Sequence, residues 1–348
     1  MAPIAVESVA DALPTVVKSL KLDDAKPQPL RTTGTLDQFE HFDVTPVIGR
    51  EYANVDLVEL LNAPNSDELI RDLAVTISER GVVFFRKQDN LTNELQKKLI
   101  LRLGELTGRP ATSGLHIHPL LNSEREILGG DDLEISTISS VQQNKYYKST
   151  HKDKASPKKQ TRAQWHSDIA FEPVPADYTS LRLTQLPTTG GDTLWASGYE
   201  LYDLLSEPYQ KFLESLDATF EQPHFAAAAE RNGFKLYERP AARREHWPHP
   251  QGRSPRDSHQ PRHRLEEHLP RRRAPSSKNH DTQVRLKWLH PNDIAIWDNR
   301  SVFHTATFDY DGQGDRFGNR AVGLGEKPYL DPNSKSRRED LEARAASS

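Results

Sequence analysis

The chain has 348 residues, 35% of them apolar, a formal net charge of -4 and no cysteine. That length allows one large domain or two small ones, and the lack of cysteine excludes disulfides, thiolate zinc sites and cysteine nucleophiles, so any metal must be held by His, Asp or Glu. No run approaches the length of a membrane span, the first residues lack the pattern of a secretory leader, and the charge balance gives no reason to expect nucleic acid or an anionic membrane as partner. The expectation is a soluble, cytoplasmic protein acting on a small molecule, with a homo-oligomer left open.

Residues 1–40 mix Pro, Lys, Asp and Thr without sustained periodicity and read as a mobile N-terminal arm; 41–330 read as the main domain and 331–348 as a C-terminal tail. Asn65, three residues before Glu68, opens an amphipathic helix with Leu69, Ile70, Leu73 and Ile77 on one face, ending at Gly81. Val82 to Phe85 follows as a buried strand, and Thr92 caps a second helix carrying Leu95, Leu99, Leu103 and Leu106. Helix is expected again over Tyr199 to Leu216, with Pro208 in the first turn of a new segment. Ile169 to Leu186, Val284 to Trp288 and Ile294 to Ala306 read as strands. Helices early and strands late, without regular alternation, predict a mainly β sandwich or jelly roll with flanking helices. The lysine-rich stretch Lys145 to Lys159 reads as an exposed loop that could serve as a lid.

A His-x-Asp triplet on a strand turns both side chains to one face, and a second His from another strand completes the facial triad of non-haem Fe(II) oxygenases. Roughly one such triplet is expected by chance. The sequence contains three: His41-Phe42-Asp43, His151-Lys152-Asp153 and His166-Ser167-Asp168. The first follows the irregular arm and the second lies in the lysine-rich stretch, where nothing fixes ligand directions. The third follows Trp165 and opens the apolar run Ile169-Ala170-Phe171, which can hold ligands rigidly.

From Trp165 onward, WHSDIAFEP, LPTTGGDTLWASGYELYDLLS and NDIAIWDNRSVFHTATFDYD occur in this order, and together they resemble the motifs of the TauD/TfdA family of taurine- and sulfonate-type dioxygenases. The resemblance runs from about Asp43 to Leu330. It implies a double-stranded β-helix, or jelly roll, and Fe(II)- and 2-oxoglutarate-dependent hydroxylation with O2, releasing succinate and CO2. By motif position, His166, Asp168 and His304 match the iron ligands, Thr193 and Arg316 the residues that bind the distal carboxylate of 2-oxoglutarate, and Arg320 the arginine directed at substrate anion and co-substrate. Arginine suits a buried carboxylate because its charge is permanent and its donors form a rigid fork. Arg316 and Arg320 share a face if their strand is regular, while the neighbouring glycines equally allow a turn or bulge. His118 matches a histidine that contacts the sulfonate; Leu121 and Arg162 depart from the taurine-specific pattern, so the implied substrate is a small anion of sulfonate type rather than taurine itself.

Residues 239–273 contain ten Arg, six Pro and no Val, Ile, Phe, Tyr or Met, a composition that cannot form a core strand. An arginine-rich nucleic-acid arm and plain disorder are two readings. A third is translation out of frame: codons compatible with Pro240 to Ala274, read one base later, can encode a stretch containing HPAIRTNPVTGWKSIF, which resembles a strand motif of the same family. That reading carries an alternative function, a degenerate homologue that keeps its metal ligands without turnover.

Overall fold

The computed structural model describes residues 30–119, 132–142, 165–216, 219–233, 236–237, 251–253, 280–328 and 334–347. In chain order the elements are β1 (Phe42–Asp43), β2 (Arg50–Tyr52), α1 (Leu57–Asn62), α2 (Ser66–Arg80), β3 (Val82–Phe85), α3 (Asn93–Glu105), β4 (Ile135–Ser139), β5 (Ala176–Gln185) and β6 (Thr193–Ser197). There follow α4 (Gly198–Asp203), α5 (Glu207–Glu214), β7 (Thr219–Glu221), α6 (Pro223–Asn232), β8 (Gln251–Arg253), β9 (Gln283–Leu286), β10 (Asp293–Asp298), β11 (Val302–Ala306), β12 (Phe317–Leu324) and α7 (Arg337–Ser347).

Seven strands form a mixed sheet in the order β1-β2-β3-β10-β5-β12-β4, and a three-stranded sheet has the order β11-β6-β9. Among the described residues only β2 and β3 run parallel; the other ladders are antiparallel. Strand periodicity divides the core into two layers. Val83, Phe85, Ile294 and Ile296 pack with Leu69, Ile70, Leu73, Ile77, Leu99 and Leu103 of α2 and α3. The alternate residues Val82, Phe84, Ala295 and Trp297 pack with Trp195, Val284 and Leu286 of the smaller sheet. Each large apolar side chain so buried contributes about 1.5–3 kcal/mol. The short interior strands of residues 82–85 and 293–298 are therefore apolar on both faces.

Thr92 caps α3 as expected, its hydroxyl accepting from Leu95 N. Asn65 stands at the N-cap of α2 but its side chain makes no capping bond; its backbone carbonyl accepts from Glu68 N and Leu69 N instead. Gly81 ends α2 at φ +74°, where a Cβ would meet Val302 Cγ1 at 2.7 Å. Left-handed backbone and close approach both require glycine there. Its carbonyl accepts from Asp298 N, joining the α2–β3 corner to the end of β10.

The strand expected from Ile169 begins at Ala176. Ile169 sits at φ +46°, and Pro173 and Pro175 have no N–H to give a ladder, so 168–175 is a series of turns and bends. Thr33 and Thr35 donate through their backbone N–H groups to the buried Asp72 carboxylate of α2, and Leu36 is buried in the same core. At the other terminus α7 docks through Arg338 N to Asp203 and through Arg344 to Glu79. The lysine-rich stretch, the His151 triplet, Leu121, Arg162 and residues 1–29 lie outside the described residues. So does 239–273, except Gln251–Arg253, which pairs with β7 outside the two main sheets.

Candidate metal centre

The segment that carries His166 and Asp168 belongs to no strand. The expectation that a shared strand face aligns the two side chains is corrected: His166 makes an isolated antiparallel bridge to His304, exchanging both backbone bonds, and Asp168 lies in the turn before Ile169. Two further bonds hold this segment. Ser167 Oγ donates to the Val302 carbonyl at 2.8 Å, and Asp168 N donates to Asn299 Oδ1 at 3.1 Å. Asn299 is itself buried and fully satisfied, because Oδ1 also accepts from Trp297 Nε1 while Nδ2 donates to the Asp177 carbonyl and Thr179 Oγ1. The turn between β10 and β11 thus fixes Asp168, while β11 carries His304 and holds the backbone of His166 and the side chain of Ser167.

Ligand atoms of His166, Asp168 and His304 lie within 4.8 Å of one another. Nε2 of each histidine stands 3.9 Å from Asp168 Oδ1. Asp168 and His304 are buried, while the His166 side chain is 45% exposed. Burial pulls His304 down to about 3, which leaves its imidazole neutral with a lone pair to give. Burial pushes Asp168 upward, but Arg320 and then the two histidines overcome it and hold the carboxyl at about 2. Two imidazoles, that of His304 neutral, and one carboxylate are a donor set suited to a divalent iron with positions left open. Of the rival triplets, His41 bonds the Phe39 carbonyl and Asp43 is paired with Arg50 and Arg80.

Arg320 reaches this centre from β12, its Nη1 donating to Asp168 Oδ1 at 2.6 Å. Its Nε is buried with no hydrogen-bond partner. Arg316 precedes β12, and a register shift between Phe317 and Gly318 separates the two arginines, so they do not share a regular strand face. Arg316 donates instead through Nε to the Gly191 carbonyl at 2.9 Å and through Nη2 to Thr193 Oγ1 at 3.2 Å. It is 3% exposed, and burial lowers it to about 10. Among the described residues no carboxylate forms an ion pair with it, and the nearby Tyr310 and Asp192 offset its burial only in part. Trp288 Nε1 donates to the same Thr193 oxygen at 3.2 Å.

His118 follows the bridge of Leu115 to Gly323 and is buried, its ring centroid 5.1 Å from Phe225 and 6.1 Å from His116. Burial, then Arg320, drives its pKa well below the usual imidazole value, so it meets a ligand as a neutral ring. His116 is held by Glu172 at 2.8 Å, and Phe171 packs edge-on against Phe225. Sequence reasoning did not single out Asn299, Ser167 or Trp288. A lone amide at the end of the buried run Ile294 to Trp297, five residues before a candidate ligand, was a signal for the first; nothing local marks the other two.

The family model described as "Taurine catabolism dioxygenase TauD, TfdA family" matches residues 40–322. "Alpha-ketoglutarate-dependent dioxygenase oryG" of Aspergillus oryzae is 43% identical over 341 residues, covering 92% of this chain and 97% of its own length. "Alpha-ketoglutarate-dependent dioxygenase btcD" of Neocamarosporium betae is 44% identical over 349 residues, covering 90% of this chain and 98% of its own. An alignment of that length, drawn from only part of a 348-residue chain, means that the relative has residues without counterpart here. A solved taurine dioxygenase from Burkholderia xenovorans superposes with a TM-score of 0.55 at 20% identity, covering 85% of this chain and 92% of that one, a likeness of fold.

Proposed function

Because this chain belongs to the TauD/TfdA dioxygenase family, we propose that it uses Fe(II), O2 and 2-oxoglutarate to hydroxylate a small anionic substrate of sulfonate type, releasing succinate and CO2. The observation that carries the reading is the convergence of His166, Asp168 and His304, in a fold that also buries Arg316 against Thr193 without an ion-pair partner among the described residues. In this reading the double-stranded β-helix is the frame, 41–330 the catalytic domain, and the cytoplasm the compartment; no nucleic acid or membrane is required.

His166, Asp168 and His304 would hold the iron, which when bound supplies the oxidising chemistry that couples decarboxylation of the 2-oxo acid to oxygen insertion into a C–H bond. The remaining work falls to the chain. Arg316 and Thr193 bind the distal carboxylate, with a charge-assisted bond from one and a neutral donor from the other. Arg320 orients Asp168 and presents its Nε to an anionic oxygen. His118 offers a neutral hydrogen-bonding ring, and Phe171 and Phe225 keep water from the same side. For a sulfonate, hydroxylation at the carbon beside sulfur releases sulfite and an aldehyde.

The test is succinate formation from 2-oxoglutarate with Fe(II) across a panel of alkyl sulfonates and matched carboxylates. Sulfonate-dependent succinate is expected. Folded, iron-loaded protein that forms none, even without added substrate, would overturn the enzymatic reading and favour the degenerate one.

A further inference from the structure

Thr193 Oγ1 lies between two groups that can only donate. The indole Nε1–H of Trp288 and the guanidinium Nη2–H of Arg316 both reach it at 3.2 Å. A hydroxyl has one proton and two lone pairs, and neither indole nor guanidinium has a lone pair to accept with. Both lone pairs of Thr193 are therefore taken. Its proton must point elsewhere, and among the described residues no oxygen stands to accept it. Thr193 is 2% exposed, Arg316 3% and Trp288 6%, so bulk water does not reorient the group.

We propose that Trp288 is a positioning residue for the co-substrate: its indole N–H fixes the Thr193 hydroxyl as a donor toward the distal carboxylate of a 2-oxo dicarboxylic acid. The proposal rests on the 2-oxoglutarate reading above and adds a residue and a polarity to it. A free threonine hydroxyl can serve either as donor or as acceptor, and so can meet a neutral amide or hydroxyl as well as a carboxylate. With both lone pairs engaged it can only donate, and with Arg316 beside it the pocket presents donors alone. Such a surface selects a second carboxylate and rejects 2-oxo acids that end in an alkyl group, whose apolar tail would leave the donors unsatisfied. Trp288 sits just beyond β9 and Thr193 opens β6, and the β6–β9 ladder pairs Thr193 with Leu286, so the sheet itself sets the approach of the indole.

The test is a double-mutant cycle on binding rather than turnover. Calorimetry on Mn(II)-loaded protein would measure 2-oxoglutarate affinity for the wild type, Trp288→Phe, Thr193→Val and the pair. Trp288→Phe is expected to weaken binding about tenfold, as loss of one oriented hydrogen bond implies. In the Thr193→Val background the same change is expected to cost less than about twofold, since no hydroxyl remains to orient. Binding of 2-oxovalerate, which lacks the distal carboxylate, should not weaken when Trp288 becomes Phe. Equal losses in both backgrounds, or wild-type affinity in folded Trp288→Phe, overturn the proposal while leaving the co-substrate reading intact. A wild-type protein that binds Mn(II) but no 2-oxoglutarate removes both.

Should Trp288→Phe fail to fold, the wild type and Thr193→Val suffice. Of the five tryptophan indole N–H signals in a labelled sample, one should move when Thr193 becomes Val, and the same one should respond to 2-oxoglutarate. Two different signals, or none, would overturn the assignment.

Discussion

Replacing Arg316 by Met separates what the site costs from what it does. Burial holds the Arg316 pKa at about 10, and a depression of that size from the usual guanidinium value corresponds to about 3 kcal/mol against the charged form. Met fills similar space without the charge but leaves the Gly191 carbonyl without its donor, a loss of about 1–3 kcal/mol. The two effects nearly offset, so the ligand-free protein should melt within a few degrees of the wild type, and on the higher side. Ligand binding should change far more. A charge-assisted bond to a carboxylate is worth about 1.5–3 kcal/mol, so 2-oxoglutarate affinity falls by about 10- to 150-fold. At a concentration 100 times the wild-type Kd, 2-oxoglutarate with Mn(II) stabilises the wild type by about 2.7 kcal/mol. A variant weakened about 100-fold would then be half saturated and gain only about 0.4 kcal/mol. Paired thermal melts with and without ligand measure both quantities. An unchanged ligand shift would refute the carboxylate role of Arg316, and a ligand-free loss of several kcal/mol would refute the claim that its burial is a cost to the fold.

Other outcomes follow from the same geometry. Asn299→Ala removes the acceptor for Asp168 N and should weaken Fe(II) binding by about 10- to 100-fold, as loss of an outer-sphere support does; metal titration of the folded fraction checks it. Gly81→Ala should destabilise by more than about 1–3 kcal/mol, because a left-handed φ and a 2.7 Å approach to Val302 coincide; chemical denaturation measures it. His304 and His118 are depressed by burial, so the unfolded chain takes up protons that the native chain refuses, and metal-free stability should fall as pH drops through 6.5 toward 3. Melts across that window would show no such fall if the imidazoles were solvated. Sequencing the transcript across codons 239–274 tests the frame reading: a shifted frame is expected, and one that encodes the arginine-rich stretch as written removes the gene-model explanation.

The two long helices were legible because their signals are local: Thr92 before the Leu95 to Leu103 stripe, and Gly81 after Ile77. The constellation was legible as a motif, yet the reason first given for its alignment was not the one the fold uses. Periodicity describes residues in a ladder, whereas Asp168 is aligned by an amide more than a hundred residues away. The same limit hid Trp288. Its bond to Thr193 crosses from one strand end to another, and neither stretch of sequence carries a mark of the other. The bulge at Phe317 likewise depends on how β12 meets β5, a pairing that composition alone leaves open.

The crossing from β10 in one sheet to β11 in the other, at residues 299–302, has a consequence for when the centre exists. Ser167 is tied to Val302 and Asp168 to Asn299 across 135 and 131 positions of chain, so no partly assembled intermediate lacking that docking can bring the three candidate ligands together. Closing so long a loop is unfavourable until the sheets around it are in place. On the proposed function, metal affinity is therefore a property of the finished fold, and by linkage a bound ion would oppose undocking at this crossing. Chelation should accordingly loosen the 166–169 segment before it affects the helices, a sequence of events that amide exchange at Asp168 and at Leu73 would resolve.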